Sequence, residues 1–200
     1  MVNIKVLPLG AYQTNCYIAW GENADTCIVI DPGYAPEQVL SEVDKLGKRI
    51  DAILLTHGHF DHVGAVKQIA ADTDCLVYIH ENDLSLPAVF TAGSLYYTDT
   101  YGEGTMLFTS GLGIQVLHTP GHTPGSVCLA VEDTLFSGDT LFAGSCGRTD
   151  LPGGSTAVIL KSLKRLAGLD KNYTVYPGHG AATTLDEERR YNPYLQGRML

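Results

Sequence analysis

The sequence predicts an α/β fold, a four-layer αββα sandwich in which helices cover the outer faces of two stacked sheets. Two observations carry that expectation. Strand-like segments followed by a helix-like segment occur twice, once in each half of the chain, and each such half buries the helix stripe on its own sheet. Polar residues also recur in Gly- or Pro-bearing turns directly after strand-like segments, where layered α/β folds assemble their sites.

Residues 4–9, 14–20 and 26–30 alternate or run apolar, with Gly, Asn and Asp between them, and read as an antiparallel meander. Asp31-Pro32-Gly33 stops the third strand. Pro36 then opens an amphipathic helix with Val39, Leu40, Val43 and Leu46 on one face, ended by Gly47. A buried strand at 50–55 runs into the turn Thr56-His-Gly-His-Phe-Asp-His-Val-Gly64, where Asp61 suits a helix N-cap and 63–71 has helical composition. A strand at 75–79 follows. Residues 85–105, with Tyr96, Tyr97 and Tyr101, are the least regular stretch and read equally as a binding loop or a cover over the core. Strands return at 114–118, 126–131 and 134–137, then a helix at 155–167, a strand at 173–176 and a charged helix from 185.

The 200 residues, 44% hydrophobic and 18% charged, fit one soluble globular domain spanning 1–200. A formal net charge of −9 argues against nucleic acid as a partner. The odd count of five Cys, with no Cys-x-x-Cys pair, suits reduced thiols better than a disulfide framework. Cys16, Cys27, Cys75 and Cys128 fall in strand-like runs and Cys146 in a looser Gly-bearing loop. Residues 1–8 have no signal-peptide core and no stretch is long enough to span a bilayer. The cytoplasm is the expected location.

The chemistry concentrates in 56–64. In extended backbone His57 and His59 point the same way, while Asp61 and His62 lie beyond the bend and face another point. Two focal points ask for two metal ions. A lone histidine at a strand end needs no ligand, but three with a carboxylate at this spacing are costly to desolvate without one. His122 in Gly121-His-Thr-Pro-Gly125, Asp139 after Ser137-Gly138 and His179 in Pro177-Gly-His-Gly180 are the further candidates. His80 and His118 read as structural or outer residues. Imidazole and carboxylate without thiolate suit zinc, iron or manganese.

Thr-His-Gly-His-Phe-Asp-His, Gly-His-Thr-Pro-Gly-Ser, Ser-Gly-Asp-Thr-Leu-Phe and Pro-Gly-His-Gly, in this order along nearly the whole chain, resemble the metallo-β-lactamase superfamily. Within it the sequence is similar to glyoxalase II, the hydroxyacylglutathione hydrolases, and above all to their short bacterial relatives. The resemblance implies the αββα fold and two divalent ions, zinc first and iron or manganese otherwise. His57, His59 and His122 would hold one ion, Asp61, His62 and His179 the second, and Asp139 would bridge them. Asp61 and Asp139 would thus serve catalysis. It implies hydrolysis of a small thioester such as S-lactoylglutathione by a metal-bridging hydroxide.

The substrate side departs from that pattern. Glyoxalase II carries a C-terminal extension that binds glutathione, and this chain stops soon after the His179 motif. In Ser145-Cys-Gly-Arg-Thr-Asp150, Arg148 keeps a cation for substrate binding, but Asp150 replaces a Tyr and would repel a carboxylate. The Gly-Arg-Thr-Asp form, and residues 187–193, also resemble the persulfide dioxygenases, which hold a single iron through counterparts of His57, His122 and Asp139. A mononuclear iron dioxygenase is therefore the alternative, and a non-catalytic metal- or ligand-binding module the third reading.

Overall fold

In the computed structural model, which describes residues 1–197, the chain opens with β1 (Asn3–Leu9), β2 (Thr14–Trp20) and β3 (Thr26–Ile30), paired antiparallel in turn. α1 (Pro36–Lys45) follows, with Pro at its start, where a missing N–H costs nothing. Next come β4 (Arg49–Leu54), the single-turn helix α2 (Phe60–Val63), α3 (Val66–Thr73), β5 (Leu76–His80) and β6 (Asp99–Tyr101). β3 to β6 pair in parallel, so the first sheet has six strands in sequence order. β7 (Met106–Thr109), β8 (Leu112–His118), β9 (Val127–Val131) and β10 (Thr134–Gly138) run antiparallel. After them come the small hairpin of β11 (Leu141–Phe142) and β12 (Ser145–Cys146), then α4 (Thr156–Ala167), β13 (Thr174–Pro177), β14 (Thr183–Thr184) and α5 (Leu185–Tyr191). The second sheet is ordered β14-β13-β10-β9-β8-β7.

Three apolar cores separate the layers, as the sandwich requires. Alternation along a strand sends successive side chains to opposite faces. Cys16 and Ile18 of β2 thus join Val39 and Val43 of α1 in the first outer core, while Tyr17 and Ala19 enter the inter-sheet core with Ile114, Leu129 and Phe136. On the far side Cys128, Ala130, Leu135 and Val175 pack under Ile159, Leu163 and Leu166 of α4 and Leu185 of α5. The expected αββα order is present. Among the described residues no helix is long and apolar enough to cross a membrane.

The structure differs from the sequence reading in three places. Asp61 is not a helix N-cap: His59 occupies that position and its carbonyl accepts from His62 N and Val63 N, while Asp61 lies inside the turn. The helix expected over 63–71 is split in two. Ala65 N donates to Pro32 O at 3.0 Å, and a Cβ on Gly64 would lie 2.4 Å from Gly33 O. The 32–33 turn presses on the chain there and takes one of its helical donors. Finally, the 85–105 stretch contains β6 and the 3-10 turn Ala88–Phe90. Strands β7, β11, β12 and β14 have no sequence forecast. β7 is a solvent-facing edge and the other three span two residues each, too short for any period to show.

Candidate metal centre

The C-terminal ends of four strands meet at one edge of the sandwich. His57 and His59 follow β4, His122 follows β8, Asp139 follows β10 and His179 follows β13. β10 and β13 are parallel neighbours, which is why Asp139 and His179 emerge on the same side. Backbone ties hold the sheets together at this edge: Val127 N donates to Thr56 O at 2.9 Å and Asn15 N to Gly178 O at 2.7 Å, while Gly178 N to Gly138 O at 2.8 Å ties β13 to β10 within the second sheet. Asn15 Nδ2 adds bonds to Pro177 O at 3.0 Å and Gly180 O at 2.9 Å.

All seven residues expected at the site converge, in two sets. In His57, His59 and His122 one nitrogen from each lies within 4.8 Å of the others, and His59 Nδ1 stands 2.9 Å from His122 Nε2. Asp61, His62 and His179 form the second set. There, His179 Nε2 is 3.3 Å from Asp61 Oδ2 and 3.4 Å from His62 Nε2. Asp139 stands between the sets, with Oδ1 3.4 Å from His62 Nε2, and Oδ2 3.5 Å from His122 Nε2 and 3.6 Å from His179 Nε2. His80 and His118 lie outside both sets, stacked on each other with ring centroids 4.1 Å apart.

The outer nitrogens explain how the rings are aimed. His57 Nδ1 meets Thr56 Oγ1 at 3.1 Å, and that hydroxyl donates to Asp31 Oδ2 at 2.6 Å. His57 Nδ1 therefore carries the proton and Nε2 is left as a lone-pair donor. His62 Nδ1 donates to Asp31 Oδ2 at 2.9 Å, His122 Nδ1 to Arg148 O at 2.8 Å and His179 Nδ1 to Tyr12 O at 3.2 Å. Asp31 comes close to His57 and His62, yet its oxygens are already engaged by Thr56 N, the Thr56 hydroxyl and His62. It orients His62 directly and His57 through Thr56. Thr14 Oγ1 does similar service for Asp61 Oδ2 at 3.2 Å. Asp31, Thr56, Thr14 and Asn15 went unrecognised as site residues in the sequence. The one available signal was Asp31 directly after a strand, as Asp139 is.

Without an ion these groups are in conflict. Burial, followed by the charge of His62, pushes the His57 pKa well down, and burial with His122 lowers His59 to about 4. Burial also opposes charge on His62, but Asp139, Asp31 and Asp61 outweigh it and lift its pKa to about 9. Against the pull of burial, His179 and His62 hold the Asp61 carboxyl low, and Asp61 and Asp139 raise His179. His57 Nε2, His59 Nε2 and Asp139 Oδ1 are buried with no hydrogen-bond partner. Buried polar atoms are rarely left so, and neutral or anionic N/O donors facing each other fit divalent cations.

A cleft of about 540 Å³ opens over the centre, walled by Tyr12, Phe60, Phe90, Phe142 and Leu151 beside His59, Asp61, His122, Asp139 and His179. Phe90 comes from the 85–105 stretch, whose Tyr101 instead turns inward and bonds Leu55 O at 2.6 Å. That stretch thus both lines the cleft and covers the core. Arg148 reaches the cleft with its guanidinium engaged by Asp150, through two contacts of 2.7 Å. The neighbour expected to repel a substrate carboxylate instead occupies the cation.

A family model described as Metallo-beta-lactamase superfamily matches residues 9–179. The chain is 34% identical to the hydroxyacylglutathione hydrolase GloC of Haemophilus influenzae, over 98% of this chain and all of that protein. Among solved structures, BLEG-1, described as a B3 metallo-beta-lactamase, superposes with a TM-score of 0.91 at 33% identity, covering 98% of this chain and 100% of that one. TTHA1623 in a di-iron-bound form gives 0.84 at 41% identity, over 96% and 100%. ETHE1 from Myxococcus xanthus gives 0.84 at 29%, over 98% and 85%.

Proposed function

The chain belongs to the metallo-beta-lactamase superfamily, and from that premise we propose that it is a two-metal hydrolase of small thioesters, with S-lactoylglutathione as the reference substrate. The observation that carries this reading is the pair of donor sets that share Asp139. His57, His59 and His122 would hold one divalent ion, Asp61, His62 and His179 the other, and Asp139 both. Zinc is the first choice, and the di-iron form of TTHA1623 keeps iron in view. When bound, the ions supply Lewis acidity toward the thioester carbonyl and bring the pKa of bound water toward about 7.

The protein's own groups do the rest. Asp31 and Thr56 keep the proton of His57 and His62 on Nδ1, so that both present Nε2 as a lone pair. Tyr12, Phe60, Phe90 and Phe142 wall the cleft over the centre and would flank the acyl and thiol arms of a bound thioester. Arg148 stands at the mouth as the contact for an anionic thiol arm. A Ser or Cys nucleophile is not required. The likeness to GloC over both full lengths supports the substrate class. The whole chain, 1–200, would act as one domain on a small molecule, without nucleic acid or membrane, in the cytoplasm, where unpaired thiols such as Cys16, Cys27, Cys75 and Cys128 stay reduced.

The likeness to ETHE1 and the Arg148-Thr149-Asp150 segment favour a second reading, a mononuclear iron dioxygenase acting on a persulfide. Against it, the Asp61/His62/His179 set is assembled as completely as the first. Metal analysis of the purified protein, with S-lactoylglutathione hydrolysis and oxygen uptake measured side by side, separates the two. Two metal ions with thioester hydrolysis are expected. One iron with oxygen consumption, or no turnover of any thioester, would overturn the proposal.

A further inference from the structure

Asp83 belongs to neither donor set, yet it is fully buried in the 3-10 turn Glu81–Ser85 that follows β5. Its Oδ2 accepts from Gly58 N at 2.8 Å and from Thr123 Oγ1 at 2.9 Å, and its Oδ1 accepts from Gly125 N at 2.6 Å. Gly58 lies between His57 and His59, and Thr123 follows His122. One carboxylate therefore clamps the loop after β4 to the loop after β8, across the two sheets. Those two loops carry the whole of the first donor set. Asp61 and His62 of the second set lie further along, on α2, where Thr14 bonds Asp61 and Asp31 bonds His62.

The glycines at the clamp fit this purpose. A Cβ on Gly125 would stand 2.6 Å from Asp83 Oδ1 and 2.7 Å from Cγ, so only glycine lets the carboxylate reach that backbone N–H. Burying a carboxylate among uncharged donors costs desolvation, and a folded chain does not gain fold stability cheaply that way. Its return lies in where it holds the ligands.

We infer that Asp83 is a positioning residue for the first metal set, fixing the separation of the His57/His59 turn from His122 through Gly58, Thr123 and Gly125. This rests on the two-ion reading above. Removing the clamp should lower affinity at the first set selectively, by the roughly 10- to 100-fold usual for outer residues that orient metal ligands.

The test isolates each set with zinc and a competing chelating indicator. In a His179→Ala background, which leaves only the first set complete, adding Asp83→Ala should weaken zinc binding about 10- to 100-fold. In a His122→Ala background, which leaves only the second set complete, adding Asp83→Ala should leave zinc affinity within about threefold. Cobalt substitution at the first set should show an altered visible spectrum in the Asp83→Ala protein. Asp83→Asn, which keeps the volume but sets an N–H₂ against backbone N–H, and Gly125→Ala repeat the comparison if Asp83→Ala does not fold. Equal weakening of both sets, or no weakening of the first, overturns the inference. Two zinc sites absent from the unaltered protein would instead overturn the two-ion reading itself.

Discussion

His122 Nδ1 donates to Arg148 O, which leaves its Nε2 lone pair facing His59 Nδ1 at 2.9 Å. Asp139, with Oδ1 unpartnered and Oδ2 near two imidazoles, is the residue whose loss should be felt by both sets. Asp139→Ala is expected to abolish two-metal stoichiometry and hydrolysis together. Full activity with two metals per chain, by elemental analysis, would sink the bridging role. Arg148 and Asp150 form an exposed pair, and exposed charge contacts are weak and easily exchanged. Arg148→Ala should raise KM for an anionic thioester about threefold with little change in kcat, as loss of uniform binding does. Asp150→Ala should lower KM by freeing the guanidinium, and steady-state kinetics that leave KM unmoved in both would show that Arg148 is no substrate contact.

At the scale of the element, the α2 turn is set by what presses on it. A Cβ at Gly33 would lie 1.5 Å from Asp61 O, so the 32–33 turn and the ligand turn are in backbone contact. Gly33→Ala is expected to displace α2, lowering zinc affinity at the Asp61/His62/His179 set and thermal stability together. Unchanged metal affinity, read by indicator competition, would count against that packing. The core side of an element behaves differently. Leu163 of α4 is fully buried between helix and sheet, so Leu163→Ala should cost about 2–5 kcal/mol in denaturant unfolding while leaving metal stoichiometry at two per folded chain. The α4 stripe was legible from apolar spacing at Ile159, Leu163 and Leu166, whereas Val158, expected on the same face, is only half-buried. The break between α2 and α3 was not legible, because its cause is Pro32 O and Gly33, some thirty positions upstream.

Across the whole molecule, the metal sets join loops from both sheets, so ions should brace the sandwich as well as serve the chemistry. Ligand binding to the folded state alone adds about 2.7 kcal/mol at a hundredfold excess over Kd. For a chain of this size that corresponds to about 5–10 °C in Tm. Removing metal with a chelator is expected to lower Tm by that order, and calorimetry showing no shift would deny the ions a structural part. Residue identity and local direction were readable without coordinates. His57 and His59 share a face because extended backbone alternates, and His62 departs from it because the turn comes first. His122, Asp139 and His179 could be suspected from their Gly/Pro turns. What no local pattern holds is Asp31 supporting His62 and Thr56, Asp83 joining Gly58 to Gly125, or Phe90 closing over the cleft. Those relations exist only once two sheets stack and strand ends far apart in the chain meet at one edge. Covalent spacing sets which donors the chain offers and where each first points, whereas non-local packing decides which of them share an ion and what holds them there.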